Sequence, residues 1–114
     1  MAMRRVDLLQ GTLDLLALTV LGAGPNHGYG IAARIHQLSD DALKVEEGSL
    51  YPALYRMEEQ GLLESEWRPT DNNRRAKFYR LTRRGRSAVR AELESWRRLS
   101  GGVARLLRAV EEGG

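Results

Sequence analysis

Apolar positions along this chain recur first at helical intervals, then at strand intervals, then at helical intervals again. From Arg4 to Leu21, Leu9, Leu13, Leu16 and Val20 form one stripe, and Leu8, Leu15 and Leu18 part of a second. A helix that is apolar on two sides needs two partners, its own domain and a second subunit. Gly22, Gly24 and Pro25 stop it. Asn26, a good N-cap, opens a second helix running to about Leu38, with Ile31, Ile35 and Leu38 on its apolar side. His27 stands at its start as a structural or capping histidine, and Tyr29 is either a core-edge residue or a donor to phosphate. Ser39, Asp40 and Asp41 make a turn, and Leu43 to Val45 a brief extended piece.

A third helix is expected over Gly48 to Gln60. Ser49 is its expected N-cap and Pro52 falls in its first turn, where the missing N–H costs little. Leu50, Leu54 and Met57 face inward, and Gly61 closes the helix as a left-handed cap. The outward face is read as Ser49, Ala53, Arg56 and Gln60, flanked by Tyr51, Pro52 and Tyr55. Such a face, small near its start and ending in a fork of donors, suits a major groove. An ordinary surface helix is the competing reading, and the neighbouring elements decide between them.

Leu62 to Arg68 alternates weakly and reads as a strand. Pro69 to Asn73 is a polar turn, and Ala76 to Leu81 returns with Tyr79 and Leu81 on one face and Phe78 and Arg80 on the other. A hairpin directly after a recognition helix is a wing. Arg74, Arg75 and Lys77 at its tip and return supply phosphate contacts, which carry the salt-dependent part of affinity. Thr82 then caps a last helix. In it Val89, Leu93, Trp96, Ser100, Val103, Leu107 and Val110 follow at alternating spacings of four and three, a heptad seam with one polar member. Gly101 and Gly102 predict a bend or break.

The expected fold is mainly α (α+β), a winged helix-turn-helix over residues 1–82 with a long C-terminal dimerisation helix over 83–114. The seam and the spare face of the first helix make a homodimer the economical arrangement. The expected interface is Leu9, Leu13, Leu16, Val89, Leu93, Trp96, Val103 and Leu107.

Composition alters this picture little. The chain of 114 residues has room for one domain, and 29% charged with 42% hydrophobic residues describes a folded one. The formal charge is only +3, but Arg56 to Arg90 holds ten basic residues against five acidic ones, and sixteen of the eighteen basic residues are arginine. No cysteine is present, which excludes disulfides and thiolate metal sites. No apolar run reaches the ~20 residues of a membrane span, so a cytoplasmic protein without membrane contact is expected. With two histidines, no Gly-rich phosphate loop and no nucleophile elbow, an enzyme is not expected. His36 with Asp40 reads as a polar helix edge, and neither a metal nor another cofactor is expected.

Five motifs together resemble the PadR family of bacterial transcription regulators. They are Gln10-Gly11-Thr12-Leu13-Asp14, His27-Gly28-Tyr29-Gly30-Ile31, Gly48-Ser49-Leu50-Tyr51-Pro52-Ala53-Leu54, Glu58-Glu59-Gln60-Gly61 and Arg75-Ala76-Lys77-Phe78-Tyr79-Arg80-Leu81-Thr82. Each is weak alone and all five in order are specific, covering about Leu8 to Gly85. The short C-terminal region is similar to that of the compact members. The resemblance implies a dimeric repressor on a pseudo-palindromic operator, with the Ser49 to Pro52 helix in the major groove, the Arg75 to Lys77 wing on the backbone or minor groove, and Tyr29 near the backbone. It also implies that Trp96, with Ser100 beside it, either packs the seam or lines a pocket for a planar aromatic or drug-like effector. The expected base-facing residues are Ser49, Tyr51, Pro52 and Arg56; Tyr29, Arg74, Arg75 and Lys77 are expected on phosphates of double-stranded DNA. The competing reading from another class is a winged-helix protein-interaction module that binds no DNA.

Overall fold

The computed structural model describes residues 10–113. The expected beginning of the first helix, Leu8 and the interface residue Leu9 lie outside them. Helix α1 (Gln10–Leu21) is followed by a two-residue strand β1 (Asn26–His27), α2 (Gly28–Leu38), α3 (Glu47–Glu59), the hairpin β2 (Leu63–Pro69) and β3 (Arg75–Leu81), and α4 (Arg83–Glu111).

Leu13, Ala17, Leu18 and Leu21 of α1, Ile31 and Ile35 of α2, and Leu50, Ala53, Leu54 and Met57 of α3 meet in one core with Leu63, Tyr79 and Leu81 of the sheet. Burying such side chains removes their apolar area from water and is the main force holding the three helices on the hairpin. Leu13 is only 5% exposed in that core. This corrects its expected place at a subunit interface, because its side chain is already taken up by its own domain. Leu16 and Val89 are half-buried against the same core.

The sheet has the order β1-β3-β2, antiparallel throughout. Asn26 pairs with Tyr79 and His27 with Phe78, so the residue expected to cap α2 is instead in a strand. The cap is His27, whose Nδ1 accepts from the Gly30 N–H at 3.0 Å, as a capping histidine should. The Asn26 side chain turns back and accepts from the His27 N–H at 2.8 Å.

Helix α3 starts earlier than expected. Its N-cap is Glu46, without a side-chain cap bond, and Ser49 lies within the first turn. The Ser49 and Leu50 N–H groups both bond the Glu46 carbonyl, and Glu47 sets a negative charge near the positive helix end. Pro52 therefore sits inside the helix rather than at its first position. The far end matches expectation. Gly61 has φ of +79°, the Leu62 N–H bonds Met57 O and the Gly61 N–H bonds Glu58 O, the paired bonds that close a helix on a left-handed residue.

Helix α4 runs unbroken from Arg83 to Glu111, through Gly101 and Gly102. Each glycine costs about 0.5–1 kcal/mol in a helix interior. That is small where good helix formers continue on both sides and each residue adds to an existing ladder. Thr82 caps it as expected: its Oγ1 accepts from the Gly85 N–H and donates to Gly61 O. The start of α4 packs on the domain through Ala88 and Val89, and beyond Leu93 most of its residues are exposed. Trp96, Leu99, Val103, Leu106, Leu107 and Val110 stay 45–64% exposed, an unpartnered apolar face.

Candidate nucleic-acid interface

The outward side of α3 is set by what its inner side buries. With Leu50, Ala53, Leu54 and Met57 buried, the positions left outside are Gly48, Ser49, Tyr51, Pro52, Tyr55 and Glu59. The expected outward Ala53 is thus core, where a small residue lets α3 lie close to its neighbours. The exposed surface is turned toward Tyr51 and Tyr55, which are 46% and 60% exposed. Pro52 and Ser49 are exposed beside them.

Arg56 departs from expectation. Its Nη2 donates to Asp14 Oδ1 of α1 at 2.7 Å, with both side chains largely shielded. A guanidinium held this way ties α3 to α1 and is not a free fork for a base. Lys77 departs too. Its Nζ lies 3.2 Å from Glu58 Oε1 on α3 and 5.5 Å from the centre of the Tyr79 ring. Burial works against its ammonium form, but the hydrogen bond to Glu58 and the surrounding negative charge leave its pKa above the ordinary lysine value. Burial also raises the Tyr79 pKa, so its phenol stays neutral. The second Glu58 oxygen accepts from Ser65 Oγ of β2. Glu58 therefore clamps both strands of the wing onto the recognition helix. Glu58→Ala is expected to cost about 1 kcal/mol, the partly solvated pair and bond being discounted accordingly. Faster amide exchange in β2 and β3 than in α2, measured on the same sample, checks the clamp; uniform exchange would refute it.

The two faces of the hairpin differ. Glu64 with Arg80, and Glu66 with Arg68, neutralise one face, where Arg68 also lies 5.3 Å from the Phe78 ring centre. On the other face the register runs outward from Leu63 and Leu81 through Ser65 and Tyr79 to Trp67 and Lys77, then Pro69 and Arg75. Trp67 is 59% exposed there. The wing tip turns at Asn73, with φ of +64°, and the Thr70 Oγ1 donates to Arg74 O. Arg74 and Arg75 are exposed and form no ion pair among the described residues.

These groups converge. His27 and Tyr29 at the start of α2, Tyr51 of α3, and Trp67, Arg74, Arg75, Lys77 and Tyr79 of the wing line one open cleft of about 730 Å³. Gly28 has its place here. A Cβ on it would stand 2.5 Å from the Tyr51 ring, so the glycine lets that ring lie flat on the α2 start. His27 stacks beside Tyr29 and meets Phe78 edge-on. Because Nδ1 accepts the cap bond, the neutral ring carries its proton on Nε2, a donor at the cleft wall. The cleft pairs stacking surfaces with two unpaired guanidinium groups, the chemistry that holds a sugar-phosphate strand. Of the expected site residues, Tyr29, Tyr51, Arg74, Arg75 and Lys77 line it, and Arg56 does not. Trp67, Tyr55 and His27 were legible only as strand, flank and cap. Trp67 had one usable signal: it shares its hairpin face with Ser65 and Leu63, which points it along the core-facing side. The His36–Asp40 edge resolves differently, with His36 Nε2 3.3 Å from Asp41 Oδ1.

A family model described as the Transcriptional regulator PadR-like family matches residues 17–91. A PadR family transcriptional regulator from Eggerthella lenta DSM 2243 is 37% identical, with a TM-score of 0.69 over 86% of this chain and 83% of that one. One from Clostridium difficile R20291 is 28% identical, with a TM-score of 0.71 over 83% of this chain and 97% of that one. A transcriptional regulator of Mycobacterium tuberculosis is 43% identical over 67 residues, which cover 59% of this chain and 61% of the relative. No helix among the described residues is long and apolar enough to cross a membrane.

Proposed function

This chain belongs to the PadR-like family of transcriptional regulators, and from that premise we propose that it acts as a homodimeric repressor on a pseudo-palindromic operator. One observation carries the reading: the α2 start, the exposed side of α3 and the two unpaired wing arginines open onto a single cleft. In this reading Ser49, Tyr51, Pro52 and Tyr55 meet base edges in the major groove, while Arg74, Arg75, Tyr29 and His27 grip phosphates. Arg56 and Lys77 hold α3 and the wing in position. Two such domains joined along α4 would set their recognition helices ~34 Å apart, so half-site centres would lie about 10 base pairs apart.

An Arg74→Ala, Arg75→Ala variant should weaken operator and scrambled DNA about equally, and its log–log salt slope should fall by about two, one for each lost phosphate contact. Fluorescence-anisotropy titration at several salt concentrations, with DNA from upstream of the protein's own gene, makes the measurement. An unchanged slope would remove both arginines from the contact. No binding of wild type to any duplex at low salt would favour the protein-interaction module instead. The seam residues Trp96 and Ser100 are where a planar aromatic effector would act, and adding such ligands to the same titration tests for release. An effector must bind two dimer geometries unequally to change affinity.

A further inference from the structure

The charge of this chain is not where its operator surface is. Residues 1–82 carry ten basic and eleven acidic side chains, a formal −1, whereas residues 83–114 carry eight arginines and four glutamates, a formal +4. The whole positive balance therefore belongs to the helix assigned to dimerisation. All eight of those arginines, Arg83, Arg84, Arg86, Arg90, Arg97, Arg98, Arg105 and Arg108, are exposed.

Their spacing orders them. Arg83, Arg90 and Arg97 recur every seven residues, as do Arg98 and Arg105, so they run along one side of α4. Val89, Leu93, Trp96, Val103, Leu107 and Val110 fall on the other side. Pairing two chains through the apolar face would leave the basic face in water. From Arg83 to Arg108 the stripe extends ~38 Å at 1.5 Å per residue, close to one turn of duplex DNA. Its middle is recessed: Glu94, Arg97, Arg98 and Arg105 line a shallow open notch. Gly101 helps to form it, for the Arg105 guanidinium lies 3.5 Å from where a Cβ of residue 101 would stand. Among the described residues the only ion pair these arginines make is Arg98 with Glu94, at 3.4 Å and 72% exposed on both sides. Such a pair is easily exchanged for another anion.

We propose that the basic face of α4 is a second docking surface for duplex DNA. It takes the phosphate backbone of a segment other than the one held by α3 and the wing, so that one dimer can join two duplexes. A solvated charged face would be the ordinary alternative, but random placement does not put every arginine of this helix off its apolar side. Guanidinium groups are matched to phosphate oxygens by geometry as well as charge. The contacts are to backbone and carry no sequence preference.

The test is a capture experiment with the full chain. Beads carrying one duplex are saturated with protein, washed at low salt, and offered a fluorescent duplex of random sequence. Wild type should retain the second duplex. An Arg97→Gln, Arg98→Gln, Arg105→Gln variant should retain at least fivefold less while loading on the beads as wild type does. Retention of no second duplex by wild type, or equal retention by the triple variant, overturns the proposal. Retention of labelled polyglutamate but not of duplex would reassign the face to an acidic protein. Direct titration of random duplex with the wing variant and the triple variant separates this surface from the operator surface. Loss confined to the wing variant leaves the operator reading standing and sinks this one; loss confined to the triple variant does the reverse.

Discussion

A Val103→Glu, Leu107→Glu variant is expected to sediment as a monomer where wild type is a dimer, and its operator affinity to fall by about 10²–10⁴-fold. The expectation starts from six large apolar side chains on α4, Trp96, Leu99, Val103, Leu106, Leu107 and Val110, that nothing in their own chain covers. An exposed apolar face of this extent marks an interface. A second copy offers the same face in the opposite sense about a two-fold axis. Two glutamates inside that seam would each have to be buried as a charge or protonated, and either is costly. The winged domain should survive, because neither residue belongs to its core. Circular dichroism would then stay helical while sedimentation changes. The drop in affinity follows because two linked domains bind one operator with the second engagement made intramolecular. Unchanged sedimentation would sink the seam. A monomer with wild-type operator affinity would sink the bivalent mode while leaving the seam intact.

The helices and the wing were legible because periodicity is a local property. Leu50, Leu54 and Met57 announce α3, and Tyr79 and Leu81 announce the return strand, as the structure bears out. The end of α3 at Gly61 and the cap at Thr82 were equally plain, since both motifs lie within a few residues. What failed was not local. A two-residue strand at Asn26 and His27 has no period, and it exists only because β3 lies alongside. Arg56 finds its partner 42 positions away, at Asp14, and no spacing announces that pair. The same holds for Lys77 and Glu58, which meet only once the wing folds back on α3. The outward face of α3 was misread through Ala53, because a small residue suits both a groove-facing surface and a tight helix crossing. Leu13 was misread for a related reason: a helix with two apolar stripes does not say which stripe faces its own domain. The candidate site was therefore legible as a region, Tyr29 to the wing tip, while the division between gripping and bracing residues required tertiary contacts.

Gly85→Ala is expected to destabilise the fold by about 1–3 kcal/mol, the range for forcing atoms into a packed site. The sign is opposite to the usual one, for a helix-interior Gly→Ala change ordinarily stabilises by ~1 kcal/mol. At Gly85 a Cβ would lie 2.1 Å from the Leu62 carbonyl oxygen and 3.3 Å from Leu81 Cδ2. That carbonyl cannot swing aside freely, since it accepts from the Thr82 N–H at 3.1 Å. Thr82 in turn bonds Gly61 O, next to the turn that ends α3. The only relief is for the start of α4 to move off the hairpin. Gly101→Ala is the control. Its nearest neighbour is the flexible end of Arg105 at 3.5 Å, so it should stabilise by about 0.5–1 kcal/mol. Urea midpoints of the two variants decide the matter, and a Gly85→Ala midpoint at or above wild type would refute the close approach. The functional consequence follows from the same junction. Helix α4 carries the seam, so tilting its root re-aims one winged domain against the other and alters the ~34 Å separation that a two-part operator requires. Affinity for operator should therefore fall further than affinity for random duplex, which demands no fixed separation.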